Sequence, residues 1–589
     1  MANSGTNIPK ELHVPGTFAG SSIANHAAAE KDETYFGTPV KDLCEEERWK
    51  REENPLDISD KILAHANEDR FPKGGDVLRF KFHGLFYVAP AQDSFMLRLR
   101  TPSGILSARQ MRGLAEMAED WGAGAAQITT RSNLQLREFR PKDIVRALTK
   151  LESLGLSSLG SGSDNVRNIT ATPTSGIDRL ELFDVAPLAQ ALNQYILESR
   201  DLYGLPRKLK VSFDSGGATS ALADTNDIAF MATRVSDGHS VSAGVYFRVH
   251  LGGTTSHRQF ASDSGLLVAP DQTAAVAAAM IRVFKENGDR TNRKRARLKY
   301  LIDRWGMEKF LEETGKHLTF PLRHFPLAEC EPRSDVDQRA HLGVHAQRQS
   351  GLSYIGVAVP VGFLSAGQMR AIASIANEFG SGEIRLTVRK NLILSNIPDE
   401  VIPGARQAIA AAGLSDEAGS FAAATISCTG SQGCRFAPTD TRTHALELAS
   451  FLDSRFKFSR PISLHVTGCP HTCAQPYVAD IGLMGTAVAR EEGYTVWLGG
   501  GSDDCQGLGR ELISVRYRDL PTLLERLIQI FKERREGDES FREFTRRHKI
   551  EDLRELLRLR LGVASSQFVR LGNVRTTDSK CVKVSRNLR

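Results

Sequence analysis

Cysteine is scarce in this chain of 589 residues: there are eight, far too few for a disulfide-stapled scaffold. Aromatic residues make up only 7%, and no run approaches the roughly 20 apolar residues that a membrane helix needs. Neither sign of charge is in surplus. Lys and Arg total 76 against 70 Asp and Glu, a net charge of +6, too slight for a nucleic-acid coat though it permits local basic clusters. Residues 1–35 lack both the basic start and apolar core of a secretion signal and the Arg-rich, acid-poor make-up of a transit peptide, so a cytoplasmic protein is expected. With 41% hydrophobic and 25% charged residues, disorder, collagen and coiled coil are excluded. At roughly 150 residues per domain, the length allows about four domain-sized units.

What is present is duplicated. Residues 102–136 match residues 360–394 at a constant offset of 258, without a gap and with 17 of 35 positions identical. Leu106-Ser107-Ala108 recurs as Leu364-Ser365-Ala366, and Arg131-x-Asn133-Leu134 as Arg389-x-Asn391-Leu392. An offset this long marks a duplicated domain, not a solenoid period. Each copy reads as strand, helix, strand. Alternation over 94–101 predicts a strand, Ser107 predicts the cap of a helix running to Gly122, and alternation over 127–137 predicts a second strand. That strand would set Gln127, Thr129, Arg131, Asn133, Gln135 and Arg137 on one face, too polar for a core. A longer α/β segment follows each copy, with strands expected at 207–213, 227–233 and 245–252, then at 463–466, 479–484 and 494–498. Each set closes on Leu-Gly-Gly, at Leu251 and Leu498, and Ala-rich helices at 273–284 and 406–412 suit core packing.

Four cysteines stand alone (Cys44, Cys330, Cys505 and Cys581), whereas Cys428, Cys434, Cys469 and Cys473 fall within 46 residues as C-x5-C and C-x3-C. Four thiolates on two loops suit a structural zinc or an iron–sulfur cluster. Zinc knuckles favour tighter spacings, and the Gly/Pro-rich flanks suit a cluster whose sulfides accept backbone N–H bonds, so the pattern favours [4Fe–4S] over zinc. Other motifs are weak. Gly160-Ser161-Gly162 lacks the downstream partner of a dinucleotide fingerprint, and Gly499-Gly500-Gly501 lacks the Lys of a phosphate loop.

The run Thr467-Gly468-Cys469-Pro470-His471-Thr472-Cys473-Ala474-Gln475, continuing to Ala479-Asp480-Ile481-Gly482, resembles the signature of the sirohaem-dependent nitrite and sulfite reductases. The likeness extends from about Arg79 to Thr545. It implies an α+β and α/β architecture: two ferredoxin-like half-domains and two larger α/β domains for sirohaem and [4Fe–4S], related by a pseudo-twofold repeat. The expected units are an N-terminal extension over 1–70, a first half-domain over 71–150 and a first sirohaem-binding domain over 155–325. A second half-domain over 345–412, a cluster domain over 420–560 and a tail over 561–589 complete the chain. The resemblance further implies that Cys428, Cys434, Cys469 and Cys473 hold the cluster, with Cys473 also bridging to the sirohaem iron. Sirohaem is rich in carboxylates, and Lys81, Arg100, Arg131 and Arg207 are implied to contact them. Arg98, Arg167, Lys208 and Lys210 are implied to surround the substrate anion, and Arg389, the repeat partner of Arg131, to be structural or cofactor-adjacent.

Nitrite and sulfite are both implied substrates. Cys428-Thr429-Gly430 and Cys473-Ala474-Gln475 resemble the nitrite branch, whereas Lys210 stands where nitrite reductases usually carry Asn. Reduction of nitrite to ammonia is therefore the first expectation and sulfite reduction the alternative. No flavin or nicotinamide module remains once the repeats are assigned, so electrons are expected from reduced ferredoxin, an acidic protein. Candidate docking stretches are 289–304, with seven basic and two acidic residues, 532–535 and 546–549. A monomer without nucleic-acid or membrane partners is expected. From a different class, a non-catalytic sensor holding an iron–sulfur cluster or zinc would use the same four cysteines.

Overall fold

The computed structural model describes residues 33–561 except 334, 338, 339 and 418. The expectations about the tail beyond 561 and about Cys581 lie outside the described residues.

The duplicated segment folds as its local chemistry dictates. In each copy the serine of Leu-Ser-Ala caps a helix: Ser107 Oγ accepts from Gln110 N while the Gln110 side chain accepts from Ser107 N, and Ser365 and Gln368 repeat the exchange. The two helices, Ala108–Trp121 and Ala366–Phe379, bury Met111, Leu114 and Ala118 and their counterparts Met369, Ile372 and Ala376. All six line one shared core, so the half-domains fold as a single packing unit. They also exchange strands. Phe363–Ser365 of the second copy pairs with Ala125–Ile128 of the first, and Ile105–Ser107 of the first pairs with Glu383–Leu386 of the second. Each five-stranded sheet thus has one edge closed by its sister copy.

The strand expected over 127–137 is instead a hairpin, Ala125–Ile128 and Leu134–Phe139, closed by a turn over 129–133. Turn chemistry overrides the alternation: Thr129 N donates to Asn133 O, Arg131 N donates to Thr129 Oγ1, and the Asn133 amide is tied to Leu99 O. Arg131 therefore projects from a turn and not from a sheet face.

Each longer segment forms a five-stranded sheet of the same design. Thr170–Ala171, Val211–Asp214 and Ile228–Val235 run parallel, then Gly244–Leu251 and Ser262–Val268 return antiparallel. Thr425–Ser427, Leu464–Thr467, Ile481–Val488, Glu491–Leu498 and Arg510–Arg516 repeat the order. The register carries the repeat past the stretch legible in the sequence. Ile228 lies opposite Val211 and Leu251, and Ile481 lies opposite Leu464 and Leu498. Just ahead of each isoleucine an aspartate makes the same two contacts. Asp227 accepts from Lys210 N at 2.8 Å and pairs with Arg297 at 2.7 Å, while Asp480 accepts from Ser463 N at 2.8 Å and pairs with Arg542 at 3.1 Å. Lys210 and Ser463 are therefore counterparts.

The N-terminal extension is no appendage. Its helix Glu45–Glu52 inserts Glu47 and Lys50 into the first large domain, 0% and 5% exposed. Lys50 Nζ donates to Leu205 O at 2.8 Å and to Glu47 Oε1 at 2.5 Å, and stands 3.4 Å from Asp164, while Arg290 holds the other Glu47 oxygen. Removing one member of such a buried network strands the rest uncompensated. Lys50→Met is expected to cost about 3 kcal/mol, read as a lowered first melting transition; an unchanged melt would mean the helix merely rests on the domain.

Candidate active site

The cations of the first copy and the thiols of the second converge. Residues 208–210 lead into the strand Val211–Asp214. Leu209 is buried and bridged to Val166, and Lys208 and Lys210 take the opposite side, as alternation predicts, although the strand itself starts only at Val211. Burial, then repulsion from Arg297 and Arg167, pulls the Lys208 pKa well below its ordinary value. Burial, then Arg297 and Arg131, pulls Lys210 down to about 7. Arg98 lies over the Phe86 ring at 4.3 Å and is drawn down to about 10 by burial. The Arg167 guanidinium donates to Ser161 O at 3.1 Å and Ser163 O at 2.8 Å, and both Arg98 and Arg207 are in its field. Lys81 is lowered by burial, then by Arg435 and Arg293. Lys81, Arg98, Arg167, Arg207, Lys208 and Lys210 thus form one electropositive wall.

Two expected cofactor contacts sit deeper. Arg131 donates to Asn168 O at 3.0 Å, Asn226 Oδ1 at 2.7 Å and Val211 O at 3.1 Å, and remains beside Lys210. Arg100 is 2% exposed; its Nε donates to Asn193 Oδ1 at 2.8 Å and one Nη to Val166 O at 2.9 Å, while its Nη2 is buried with no hydrogen-bond partner among the described residues. Within the expected docking stretch over 289–304, Arg290 is fully buried against Glu47, Arg293 grips Asp164 with two bonds of 2.8 and 2.9 Å, and Arg297 holds Asp227, whereas Lys294, Arg295 and Arg304 are exposed.

Of the four cysteines, Cys469 is buried, Cys428 and Cys434 are half-buried and Cys473 is exposed. Cys473 lies in the field of Cys428, Lys208, Cys434 and Arg98, and burial pushes the Cys469 thiol up to about 12. Gly468 N donates to Cys428 Sγ at 3.2 Å. Among the described residues no three His, Cys, Asp or Glu side chains converge closely enough to hold a metal ion. Ser427 Oγ, Thr467 Oγ1 and Thr472 Oγ1, one near each of Cys428, Cys469 and Cys473, are buried with no hydrogen-bond partner among the described residues. Buried hydroxyls need acceptors, and cluster sulfides and thiolates are acceptors. The donor set fits an iron–sulfur cluster.

Comparison with known proteins agrees. Residues 162–322 and 418–565 match the nitrite and sulphite reductase 4Fe-4S domain, and residues 88–154 and 345–412 match the nitrite/sulfite reductase ferredoxin-like half domain. The chain belongs to the nitrite and sulphite reductase family. It is 37% identical to the ferredoxin–nitrite reductase of Synechococcus elongatus, over 82% of this chain and 95% of that one. It is 33% identical to the chloroplastic ferredoxin–nitrite reductase of Spinacia oleracea, over 77% of this chain and 78% of that one. The solved structure of the Mycobacterium tuberculosis NirA protein superposes with a TM-score of 0.79 at 27% identity, covering 87% of this chain and 98% of that one. The mixed α/β fold with duplicated ferredoxin-like half-domains is the fold of the family, and the chain is an iron–sulfur oxidoreductase. No helix among the described residues is long and apolar enough to cross a membrane.

The duplication leaves this reductase with two poles of opposite character. Where the first copy carries Lys208 and Lys210, the second carries Pro461 and Ser463. Arg389 keeps the place of Arg131 but sits in the field of Asp503 and Asp480. Around it Asp503 N donates to Asp224 Oδ2 at 2.9 Å, Ser220 Oγ donates to Asp503 Oδ1 at 2.6 Å, and Arg333 pairs with Asp214. Asp503 and Asp480 of the chain itself, together with Arg542, thus act on Arg389. Asp227, Arg297, Lys390 and the role of Arg137 escaped sequence reasoning. The recurrence of Asp-Ile ahead of the third parallel strand, at Asp227 and Asp480, was the available signal for the first.

Asp224 is 1% exposed, and its Oδ1 has no hydrogen-bond partner among the described residues. Burial, then Asp503, pushes its pKa from 3.8 up to about 7. The folded carboxyl then keeps a proton that the unfolded chain releases, so its contribution is most favourable at low pH and fades as pH rises through that window. Asp224→Asn is expected to melt higher than the parent near pH 8, by a margin that shrinks towards pH 4. A margin independent of pH would assign the effect to packing and not to titration.

Proposed function

We propose that this reductase converts nitrite to ammonia, taking six electrons one at a time from reduced ferredoxin, at a sirohaem held beside a [4Fe–4S] cluster. The observation that carries the reading is the meeting of Cys473, from the second copy, with Lys208, Lys210 and Arg98 from the first. Relatives named ferredoxin–nitrite reductase support nitrite as substrate and ferredoxin as donor. In this reading Cys428, Cys434 and Cys469 bind the cluster alone, and Cys473 binds both cluster and sirohaem iron. Lys81, Arg100, Arg131 and Arg207 hold sirohaem carboxylates, for which the planar guanidinium fork is suited. Cytoplasmic residence accords with cysteines that form no disulfides among the described residues.

When bound, the paired cofactors would supply single-electron transfer and a metal centre to which the anion could bind. The chain's own part is electrostatic and protonic. Arg98, Arg167, Lys208 and Lys210 draw the anion in and stabilise charge on its oxygens. Arg167 is pre-aimed by the carbonyls of Ser161 and Ser163, so little reorganisation is required of it. Lys210, with its pKa near 7, is poised to give a proton to a departing oxygen. Asp227 anchors Lys210 through its backbone N–H, and Arg297 holds Asp227 in place.

Lys210 alone favours a second reading, sulfite reduction to sulfide, because a further cation stabilises a dianion more than a monoanion. Two variants test these readings with reduced viologen as donor. Lys210→Asn is expected to lower sulfite turnover by at least ~10-fold, about 1.4 kcal/mol, with nitrite turnover little changed. A parent enzyme that already prefers sulfite would overturn the nitrite reading, and equal losses on both anions would assign Lys210 to cofactor placement. Cys473→Ser is expected to abolish six-electron reduction, because in this reading Cys473 alone of the four cysteines holds both cofactors. Normal nitrite turnover in that variant would sink the cofactor assignment.

A further inference from the structure

We infer that Arg137 and Lys390, one from each copy of the half-domain, form a two-cation clamp on the C-x5-C loop that raises the reduction potential of the iron–sulfur cluster. The inference rests on the cluster assignment proposed above. At the offset of 258, Lys390 occupies the place of Ser132 and Arg137 the counterpart of Ser395. Both serines are buried, 0% and 2% exposed, so each copy has turned one small interior hydroxyl into a cation where its sister has not. Both cations reach the same loop.

Lys390 is 3% exposed. Its ammonium donates to Val361 O at 2.7 Å and to Ser427 O at 2.8 Å, the carbonyl directly before Cys428. Arg137 comes from the other side. One Nη donates to Thr429 Oγ1 at 2.8 Å, directly after Cys428, and the other to Gly433 O at 3.2 Å, directly before Cys434. Gly433 permits this approach, since a Cβ there would stand 2.7 Å from Thr429 Cγ2 and 3.0 Å from Arg137 Nη1. The loop is thus held at both ends by positive charge.

Among the described residues neither side chain is paired with a carboxylate. The anionic groups acting on them are mostly thiols of the site: Cys428 and then Cys473 for Lys390, and Cys434, then Glu138 and Cys428, for Arg137. A buried cation without a counter-ion is costly. A four-thiolate cluster supplies that missing negative charge, and its reduced form, with one more electron, gains more from the two cations than its oxidised form. The clamp therefore favours uptake of the electron that ferredoxin delivers. Loss of either cation makes the cluster harder to reduce.

The test is an EPR-monitored redox titration of the iron-loaded enzyme, with iron counted and melting followed in parallel, on the parent, Lys390→Met, Lys390→Arg and Arg137→Gln. The expected result is four irons per cluster in every variant. In the two neutral variants the affinity for the first electron falls about tenfold, a potential lower by about 59 mV for one electron, and Lys390→Arg stays close to the parent. A neutral variant that carries full iron at the parental potential would overturn the inference. If one neutral variant loses iron, the other decides by the same criterion. If both lose iron while their melting matches that of the iron-free parent, the cations merely hold the loop and the tuning role falls. A parent without four cysteine-bound irons would instead overturn the cluster assignment itself.

Discussion

Lys81, Arg98, Arg131, Arg167, Arg207, Lys208 and Lys210 repel one another across a small volume, and two buried carboxylates keep that crowd assembled. Asp164, 0% exposed, lies between Lys50, Arg293 and Arg207, whose attraction outweighs its burial and holds its pKa far below the ordinary carboxylate range. Asp227, also 0% exposed, binds Arg297 through both oxygens and fixes the start of the Lys210 strand. Everything else in the site depends on these two. They let a cationic wall persist before any anion arrives, and they leave its outermost members facing the thiol of Cys473.

This accounts for features that look unrelated along the chain. The helix Glu45–Glu52, far from any motif, delivers Lys50 to Asp164. Within the basic run over 289–304, which reads as a surface for an acidic partner, Arg290, Arg293 and Arg297 are spent on Glu47, Asp164 and Asp227 inside the domain. Positive charge in a sequence is ambiguous in this way. A solvated arginine and one compensating a buried aspartate look alike until the partner, more than 60 residues distant in each case, is placed beside it.

Duplication followed by divergence explains how one chain builds a lopsided site from a symmetric frame. The helix caps, the exchanged strands and the Asp–Arg braces are retained in both halves because both must fold. The chemistry is segregated: lysines in the first large domain, cysteines in the second, and at the opposite pole a knot of carboxylates around Arg389. The half-domains, sharing one core, bring a strand of the first copy, through Arg137, and a turn of the second, through Lys390, against the C-x5-C loop.

Much was legible in the sequence by itself. The 258-residue offset, the capping serines Ser107 and Ser365, the four clustered cysteines and the Arg-Lys-x-Lys run are local or periodic signals, and local physics enforces them. The alternation over 127–137 misled because a five-residue turn of polar residues keeps the same period as a strand, and only the Thr129–Asn133 bonds distinguish them. The tertiary structure alone decided that Arg100 bonds to Asn193 and Val166 while Arg98 lies over Phe86, since both alternate identically with leucine. It also decided that Asp227, Arg297, Arg137 and Lys390 belong to the site. Their importance lies in a charge's partner and in burial, and neither is a property of a residue or its neighbours in the chain; both arise only when distant segments pack together and exclude water.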